Sequence, residues 1–272
     1  MSGWKYYNHA VIPTTAPHEF VDLKDIETND IWQQYPKALF ACWTSDWDSD
    51  HNSDWWYVIK DAPFQIMALK AKQRYEINKG KKHFEVHEFC FQEYLHSVAE
   101  VYEAAIESYE NQSHFDKLAF VNKSKQQAEN EKYYGAFEKE SRKLCAFCYL
   151  RYQGQCANYI SHKAIPTYEK QGINAALVAG MLEANSDFLL NGYICDGSRS
   201  INHETSFQDF LEKYFGFRKA YCKLNIAYNP KVKWIVKLIY PLRRVFLLLD
   251  RINIFHQINS VMIMEEIKRK GH

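Results

Sequence analysis

The sequence predicts an α/β protein in which short strands alternate with helices that pack on a sheet. Three observations predict this class. Residues 187–230 divide into a strand, a polar loop, a helix, a glycine turn and a second strand. Residues 142–162 form two apolar runs that meet at Gly154, as in a β-hairpin. Residues 91–109 carry apolar side chains at helical spacing, which indicates a helix with one buried face.

Composition and charge narrow the class of protein. The chain has 272 residues, of which 47% are hydrophobic and 16% aromatic, enough for a sizeable core. A formal net charge of +1 gives no overall field that would favour DNA, so we expect no DNA partner. Seven cysteines, an odd number, suit a reducing compartment, and the first residues lack the apolar core of a signal peptide. We therefore expect a cytoplasmic protein.

Residues 1–65 predict a small N-terminal unit rich in aromatic residues and strands. Prolines prevent long regular elements in the first 36 residues. Strands are expected at residues 38–44 and 55–60, on either side of a loop at residues 45–54 that carries four aspartates and one histidine.

Three interpretations of the 45–54 loop remain open. The first is a solvated hairpin connection between the two strands. The second is an acceptor site for a sugar or amine, in which rings stack on the ligand and carboxylates bind its polar groups; its residues would be Trp43, Asp46, Asp48 and Trp56. The third is the metal site of a glycosyltransferase, held by Asp46 and Asp48. The loop lacks the turn glycine and closing glutamate of a calcium loop, so we expect no metal.

The central part of the chain predicts alternating helices and strands. A basic helix is expected at residues 66–79, ended by Gly80, and a strand at 83–89. Its cations, among them Lys70 and Arg74, form either an ordinary solvated face or a binding site for phosphate groups. Residues 110–135 are polar and predict helix or loop. Five cysteines are expected to be small core residues: Cys145, Cys148, Cys156, Cys195 and Cys222.

The C-terminal third continues the pattern. An apolar helix is expected at residues 174–185, and a buried strand at 188–195. A helix capped by Thr205 or Ser206 should then end at Gly216, before a strand at residues 221–228. Residues 231–272 predict two basic amphipathic helices broken before a proline, which either pack on the core or bind a membrane surface.

Two stretches carry a resemblance to a known family. The first is the strand, glycine turn, FLEKYFGF helix and tyrosine-ended strand of residues 187–230. The second is the basic helix, Lys79-Gly80 break, strand and long helix that begins at residue 66. Together they resemble acyltransferases of the GNAT fold, closest to the FemAB-type group of peptidoglycan-bridge aminoacyltransferases and exopolysaccharide acyltransferases.

The resemblance implies a fold and a division of the chain. It covers residues 66–230, which would form a GNAT-like acyltransferase domain with a mixed, mostly antiparallel sheet flanked by helices. Residues 1–65 would be a truncated first unit, and residues 231–272 a helical tail. Neighbouring central strands near residues 156–162 and 187–195 should diverge and leave a V-shaped slot for a thioester or ester.

The resemblance also implies chemistry. The donor would be acyl-CoA, an acyl carrier protein or an aminoacyl-tRNA. In coenzyme A-dependent members a helix N-terminus binds the pyrophosphate; the matching positions here are Lys170, Gly172 and Asn174. That loop has one glycine and no Gln or Arg three residues before it, which fits the FemAB-type members better.

The expected reaction is direct acyl transfer to an amino-sugar, cell-envelope or polysaccharide precursor, including a lipid-linked sugar. His203 is the candidate general base, because imidazole titrates near neutral pH, although it can equally cap the following helix. Asp196 and Arg199 share its loop and would orient the base or bind an anionic group of the acceptor. The alternative from another class is a non-catalytic carbohydrate-binding or assembly protein of a polysaccharide pathway.

Overall fold

A computed structural model describes residues 3–107, 115–124, 126–201, 206–247 and 253–271. The chain divides into two compact units. The first unit comprises residues 1–57, 198–205 and 219–272, and the second comprises residues 58–197 and 206–218. The division of the chain at residues 65 and 230 stays a prediction.

Short elements dominate the N-terminal half. In chain order they are β1 Trp4–Tyr7, β2 Ala10–Pro13, α1 Lys24–Glu27, α2 Ile31–Gln34, β3 Phe40–Ser45, β4 Trp56–Lys60, α3 Ala71–His83, β5 Phe84–Phe89, α4 Leu95–Glu107, α5 Lys117–Lys123 and β6 Glu131–Glu138. A single 3₁₀ turn, Ile66–Ala68, precedes α3 in this part of the described chain.

The C-terminal half has longer elements. They are β7 Leu144–Gln153, β8 Cys156–Ala164, α6 Ile173–Ala184, β9 Tyr193–Ser198, α7 Ser206–Phe215, β10 Arg218–Tyr221, β11 Lys223–Tyr228, α8 Pro230–Ile239, α9 Arg243–Leu247 and α10 Asn253–Lys270. Three 3₁₀ turns lie among them, at Pro166–Gln171, Phe188–Leu190 and Tyr240–Leu242.

The first unit is built on a four-stranded sheet of order β1-β2-β3-β11. The β2–β3 pair is parallel, and the other two pairs are antiparallel. Phe40, Leu224 and Ile226 pack with Ile267 of α10 in its core. Because β3 pairs with β11 and β2, it has no hairpin partner in β4, and the hairpin interpretation of residues 45–54 is wrong.

The other sheet has seven strands in the order β10-β4-β9-β8-β7-β6-β5, and strands β5 to β8 lie wholly in the second unit. Strands β5 to β8 pair antiparallel, whereas β8 and β9 are parallel. Helix α6 packs on β5, β6 and β7, and α4 packs on β7 and β8. The mixed, mostly antiparallel sheet flanked by helices that the sequence predicts is therefore confirmed.

The bounds of two strands in the second unit differ from the sequence-based assignments. Residues 131–138 form β6 and not a helix or loop. Its residues 133–137 are buried on both faces, so the strand lacks the alternating pattern that marks a half-exposed strand. Residues 188–190 form a 3₁₀ turn, and the strand begins only at Tyr193 and continues to Ser198.

Gly80 lies within α3 and does not end it, contrary to the sequence-based prediction. It is buried where α3 crosses the start of α6. A Cβ atom at this position would overlap the Gly172 carbonyl oxygen and lie 2.8 Å from the Cβ of Ala176. Close packing of the two helices requires a glycine here. The sequence alone, in which glycine is taken as a residue that ends helices, does not reveal this role.

The C-terminal tail is helical and belongs to the first unit. The break before Pro241 is confirmed, since α8 ends at Ile239 and a 3₁₀ turn follows. In the described residues, helices α9 and α10 follow that turn. Among the described residues, no helix combines the length and the apolar character needed to cross a bilayer.

We expect Gly80→Ala to lower the free energy of unfolding by roughly 1 kcal/mol, the difference between two opposing effects. Overpacking typically costs about 1–3 kcal/mol and here involves a backbone atom that cannot rotate away, which outweighs the ~1 kcal/mol by which alanine is favoured in a helix. Urea unfolding followed by circular dichroism measures the change. The control is Asn78→Ala, at an exposed position of the same helix. A Gly80→Ala protein as stable as that control would contradict the packing argument.

Candidate active site

The parallel ladder between β8 and β9 is short. It joins three residue pairs: Cys156 with Tyr193, Ala157 with Ile194, and Asn158 with Cys195. Strand β8 continues to Ala164 and β9 to Ser198, but these described residues extend no further ladder between the two strands. The strands therefore diverge beyond Asn158 and Cys195, near the place where a slot between them is predicted from the sequence.

A cavity of about 550 Å³ lies at this divergence, within the second unit. Four elements contribute polar or aromatic side chains to its wall: Lys163 of β8, Asp196 of β9, Asn174 of α6 and Phe207 of α7. Burial among these elements lowers the local polarity, which strengthens electrostatic interactions and disfavours isolated charges.

One residue of β8 falls outside the regular ladder with β7. Tyr149 lies opposite Ser161 and Leu150 lies opposite Tyr159, so Ile160 is an extra residue on the β8 side. Such a β-bulge leaves the extra residue unpaired and turns the strand locally. Because Ile160 lines the cavity, the bulge places an irregular stretch of backbone in its wall.

His162 is held as a neutral imidazole inside this wall. Its Nδ1 lies 2.8 Å from the Tyr159 hydroxyl, and its Nε2 lies 2.8 Å from Oδ1 of Asn174. An amide oxygen only accepts, so Nε2 carries the proton and Nδ1 accepts from the tyrosine. Burial lowers the pKa of His162 to about 4, and the charge of Lys163 adds to the effect. The imidazole is therefore uncharged at neutral pH.

The pKa of Asp196 shifts in the opposite direction to that of His162. Asp196 follows Cys195, the last residue of β9 that pairs with β8, and it lines the cavity. Burial raises the pKa of its carboxyl group from 3.8 to about 7, although a hydrogen bond with Gln208 partly offsets the rise. A carboxyl group with a pKa near the ambient pH is suited to accept and release a proton. Perturbed groups of this kind cluster at functional sites.

The cysteines near the cavity are core residues and poor nucleophiles. All five that the sequence assigns to the core are buried and free, which confirms the prediction. Burial raises the pKa of the Cys148 thiol to about 12, and Cys195 also has a raised pKa because of a hydrogen bond with Cys156 and burial. The thiolate is the reactive form, and it is strongly disfavoured at both positions.

The three positions matched to the cofactor loop have different surroundings. Asn174 lines the cavity and holds His162. Gly172 is buried with φ of 82°, and a Cβ atom there would lie 2.9 Å from the Glu76 carbonyl oxygen of α3. Lys170 is exposed on the preceding 3₁₀ turn. The structure therefore brings Asn174 to the cavity, while Gly172 serves the packing of α6 on α3.

The two basic residues predicted to bind substrate, Lys70 and Arg74, lie at the start of α3. Arg74 donates from Nη1 to the carbonyl oxygen of Leu69 at 2.5 Å, across the start of the helix. Lys70 is exposed at the N-cap position. Neither residue contributes to the wall of the cavity at β8 and β9.

Arg199 and Trp56 lie together in the first unit. The guanidinium carbon of Arg199 lies 4.8 Å from the ring centre of Trp56, and Lys219 Nζ lies 4.6 Å from the same ring. Nη1 of Arg199 also donates to the Asp54 carbonyl oxygen at 2.7 Å. The Trp56 ring therefore already binds two cations through cation–π interactions, while Asp196 belongs to the second unit.

The remaining acceptor candidates are also in the first unit. Trp43 packs edge-on against Trp4 and lines a separate cavity of about 360 Å³, to which Asp46 and Asp48 do not contribute. Both aspartates have positive φ, 52° and 55°, and shape the turn after β3. Among the described residues, no group of three His, Cys, Asp or Glu side chains is arranged to hold a metal ion.

One predicted residue cannot be placed, and two were missed. His203 lies outside the described residues, so its role as a base stays a prediction. His162 and Lys163 were not predicted. With Ser161 they form a polar run near the end of β8, where a buried strand would be apolar, and that run is the signal that could have identified them.

Comparison with known proteins supports the fold alone. No family model matches the sequence, and no curated protein matches it. Among solved structures, FemX has a TM-score of 0.54 at 8% identity and covers 87% of this chain and 85% of its own. L-PGS from Bacillus licheniformis has a TM-score of 0.51 at 13% identity, covering 99% and 86%.

A third structure is the C-terminal domain of a putative lysylphosphatidylglycerol synthetase from Agrobacterium fabrum, with a TM-score of 0.52 at 9% identity, covering 86% and 82%. These similarities extend over most of each chain and are not confined to one motif. The chain therefore has a GNAT-like fold with FemAB-like structural relatives, as the sequence predicted.

The raised pKa of Asp196 predicts a pH-dependent stability. Between pH 3.8 and about 7 the folded carboxyl holds its proton while the unfolded one has lost it, so stability falls as the pH rises through this window. Asp196→Asn removes this loss. We expect the variant to gain stability over the wild type as the pH rises from 5 to 8, by at most about 3 kcal/mol for the two pH units below 7 at roughly 1.4 kcal/mol per unit, and by less because the carboxyl is partly exposed.

Thermal unfolding across that pH range measures this gain, with Asp209→Asn, an exposed aspartate of α7, as the control. The control should follow the wild type at every pH. Unfolding temperatures of the Asp196→Asn protein that run parallel to those of the wild type would show that Asp196 titrates normally.

Proposed function

We propose that this protein is an acyltransferase that modifies a precursor in a cell-envelope pathway. One observation carries the proposal: Asp196, with a carboxyl pKa of about 7, lies in the cavity where β8 and β9 diverge. The GNAT-like fold and its similarity to FemX and to a lysylphosphatidylglycerol synthetase domain support the same reaction class.

Asp196 acts as the general base. Its ionised carboxylate takes the proton from an amine or hydroxyl of the acceptor while that atom forms a bond to the acyl carbonyl carbon. The bond between the acyl group and its carrier then breaks, and the carrier leaves with the electron pair and takes up the proton that Asp196 accepted, which restores the carboxylate. No covalent enzyme intermediate is needed, which agrees with the absence of an ionised cysteine among the described residues around the cavity.

The β8 side of the cavity positions the acyl group. The bulge at Ile160 supplies peptide groups outside the regular ladder, and an N–H among them would stabilise the oxyanion that develops during attack. His162 is hydrogen-bonded to both Tyr159 and Asn174, so it connects β8 to α6 and holds the cavity wall rigid. A rigid wall lowers the cost of orienting two reactants.

The donor that we propose is an aminoacyl ester of tRNA, with acyl-CoA and an acyl carrier protein as the alternatives. Gly172 packs on α3, and the loop before α6 has one glycine, so the expected pyrophosphate-binding loop is absent from this described segment. One similar structure is named for a lysyl ester of a lipid. The acceptor would be an envelope lipid, an amino sugar or a lipid-linked sugar.

A transfer assay with defined donors and acceptors tests the function. Purified protein is incubated with radiolabelled lysyl-tRNA or acetyl-CoA, in the presence of phosphatidylglycerol or of glucosamine, and the labelled acceptor is quantified. We expect transfer from lysyl-tRNA, and a decrease of about 100-fold or more in kcat/KM for Asp196→Asn, the usual effect of losing a general base. The rate should rise with pH through about 7, because the base must be ionised.

Matched variants separate the possible bases. Asp209→Asn should retain wild-type activity, and His203→Gln tests the base that the sequence favours. A large loss in His203→Gln with full activity in Asp196→Asn would assign the role to His203 instead. Saturable binding of an acceptor with no turnover of either donor would favour the carbohydrate-binding alternative and overturn the proposed enzyme.

A further inference from the structure

Helix α8 of the first unit turns its apolar side chains toward solvent. Trp234 is 67% exposed, Ile235 53% and Leu238 74%, and Leu242 of the following 3₁₀ turn is 55% exposed. At 3.6 residues per turn the three side chains of α8, those of Trp234, Ile235 and Leu238, fall within an arc of about 100°. Only Val236 of this helix is buried, on the opposite side. An ordinary surface helix has the reverse arrangement.

Exposed cations accompany this apolar face. Lys231, Lys233 and Lys237 of α8 are all exposed, as is Arg244 of α9. No aspartate or glutamate occurs anywhere in residues 229–247, so the segment is uniformly positive. Lys237 Nζ lies 5.4 Å from the ring centre of Trp234 and so remains beside the apolar face. We call these apolar and basic residues of 231–244 the α8 face.

Large exposed apolar side chains flanked by cations match the chemistry of one surface in particular. An anionic bilayer offers phosphate groups for the cations and, just below them, a boundary where indole and aliphatic side chains leave water. Trp is favoured at that depth because its ring is apolar and its N–H remains near polar headgroups. Nucleic acid would satisfy the cations but leave the aliphatic side chains exposed.

A second copy of this chain fits the α8 face poorly. Two copies docked through this face would bring Lys231, Lys233 and Lys237 of one copy against the same lysines of the other. The segment contains no carboxylate to neutralise them. Like charges placed together in an interface oppose association, so charge complementarity selects an anionic partner.

We propose that the α8 face docks the first unit on the surface of an anionic membrane. The helix lies parallel to the bilayer plane, with Trp234, Ile235, Leu238 and Leu242 in the boundary between headgroups and acyl chains. The lysines and Arg244 contact lipid phosphates. This docking goes beyond the proposed transfer reaction and does not depend on it.

Cosedimentation of the full-length protein with lipid vesicles tests the proposal. One set of vesicles contains phosphatidylcholine alone, and the other contains phosphatidylcholine with one third phosphatidylglycerol. We expect about 10-fold or more tighter partitioning to the anionic vesicles, given three or four cations near the charged surface, and a marked loss of that preference in high salt.

Two double variants separate the apolar contribution to vesicle binding from the electrostatic contribution. Trp234→Ser combined with Leu238→Ser should weaken binding to anionic vesicles about 10-fold or more by removing apolar contact. Lys233→Gln combined with Lys237→Gln should remove most of the anionic preference and its salt dependence. Phe20→Ser is the matched control, because Phe20 is an apolar residue of the same unit that is 89% exposed and lies away from α8 in the sequence.

The altered residues are exposed, so circular dichroism and thermal unfolding should show folded variants. Equal partitioning of the wild type to both vesicle types would overturn the proposal, and so would wild-type binding by the Trp234→Ser, Leu238→Ser protein. A concentration-dependent dimer in analytical ultracentrifugation that these two substitutions abolish would assign the face to self-association instead. None of these readouts requires transfer activity, so they are independent of the proposed reaction.

Discussion

The three-pair parallel ladder between β8 and β9 is the constraint on which the candidate site depends. Paired strands stay within hydrogen-bonding distance, so a cavity can open in a sheet only where pairing stops. Here it stops at Asn158 and Cys195, and the cavity of about 550 Å³ begins at that point. The β8 bulge at Ile160 and the start of α7 then shape its walls.

Burial at this divergence selects which group titrates near neutral pH. Loss of water disfavours charge on both His162 and Asp196, but it moves their pKa values in opposite directions, to about 4 and about 7. The imidazole therefore stays neutral and serves as a positioning residue between Tyr159 and Asn174. The carboxyl group alternates between its two protonation states at neutral pH, as a general base must.

Sequence patterns predicted the elements with a strong period and missed those whose role depends on packing. The hairpin of β7 and β8, helix α4 and the strand β11 follow from clear alternation or helical spacing. Strand β6 was missed because both of its faces are buried, and Gly80 was misread because its function is a close contact with α6. Both features depend on partners distant in the sequence.

The residues of the candidate site were also predicted only in part, because their positions depend on partners distant in the sequence. Asp196 and Asn174 were identified as site residues, and both line the cavity. His162 and Lys163 were not, because their only sign in the sequence is a short polar run at the end of a strand, and their place in the cavity wall depends on the helices packed beside it. Arg199 was predicted to act with Asp196 because the two share a loop, and that role stays a prediction. Its contacts with Trp56 and the Asp54 carbonyl oxygen could not be predicted from the sequence.

Asp196 lies in a partly dehydrated slot, and its carboxyl group holds its proton up to neutral pH. Carbon-13 NMR of protein labelled at aspartate carboxyl groups measures this directly, with the Asp196→Asn protein identifying the signal. We expect a titration midpoint near 7 for the Asp196 carboxyl. A midpoint near 3.8, the ordinary value, would contradict it, because the slot would then be open to water and the proposed base would lack its driving force.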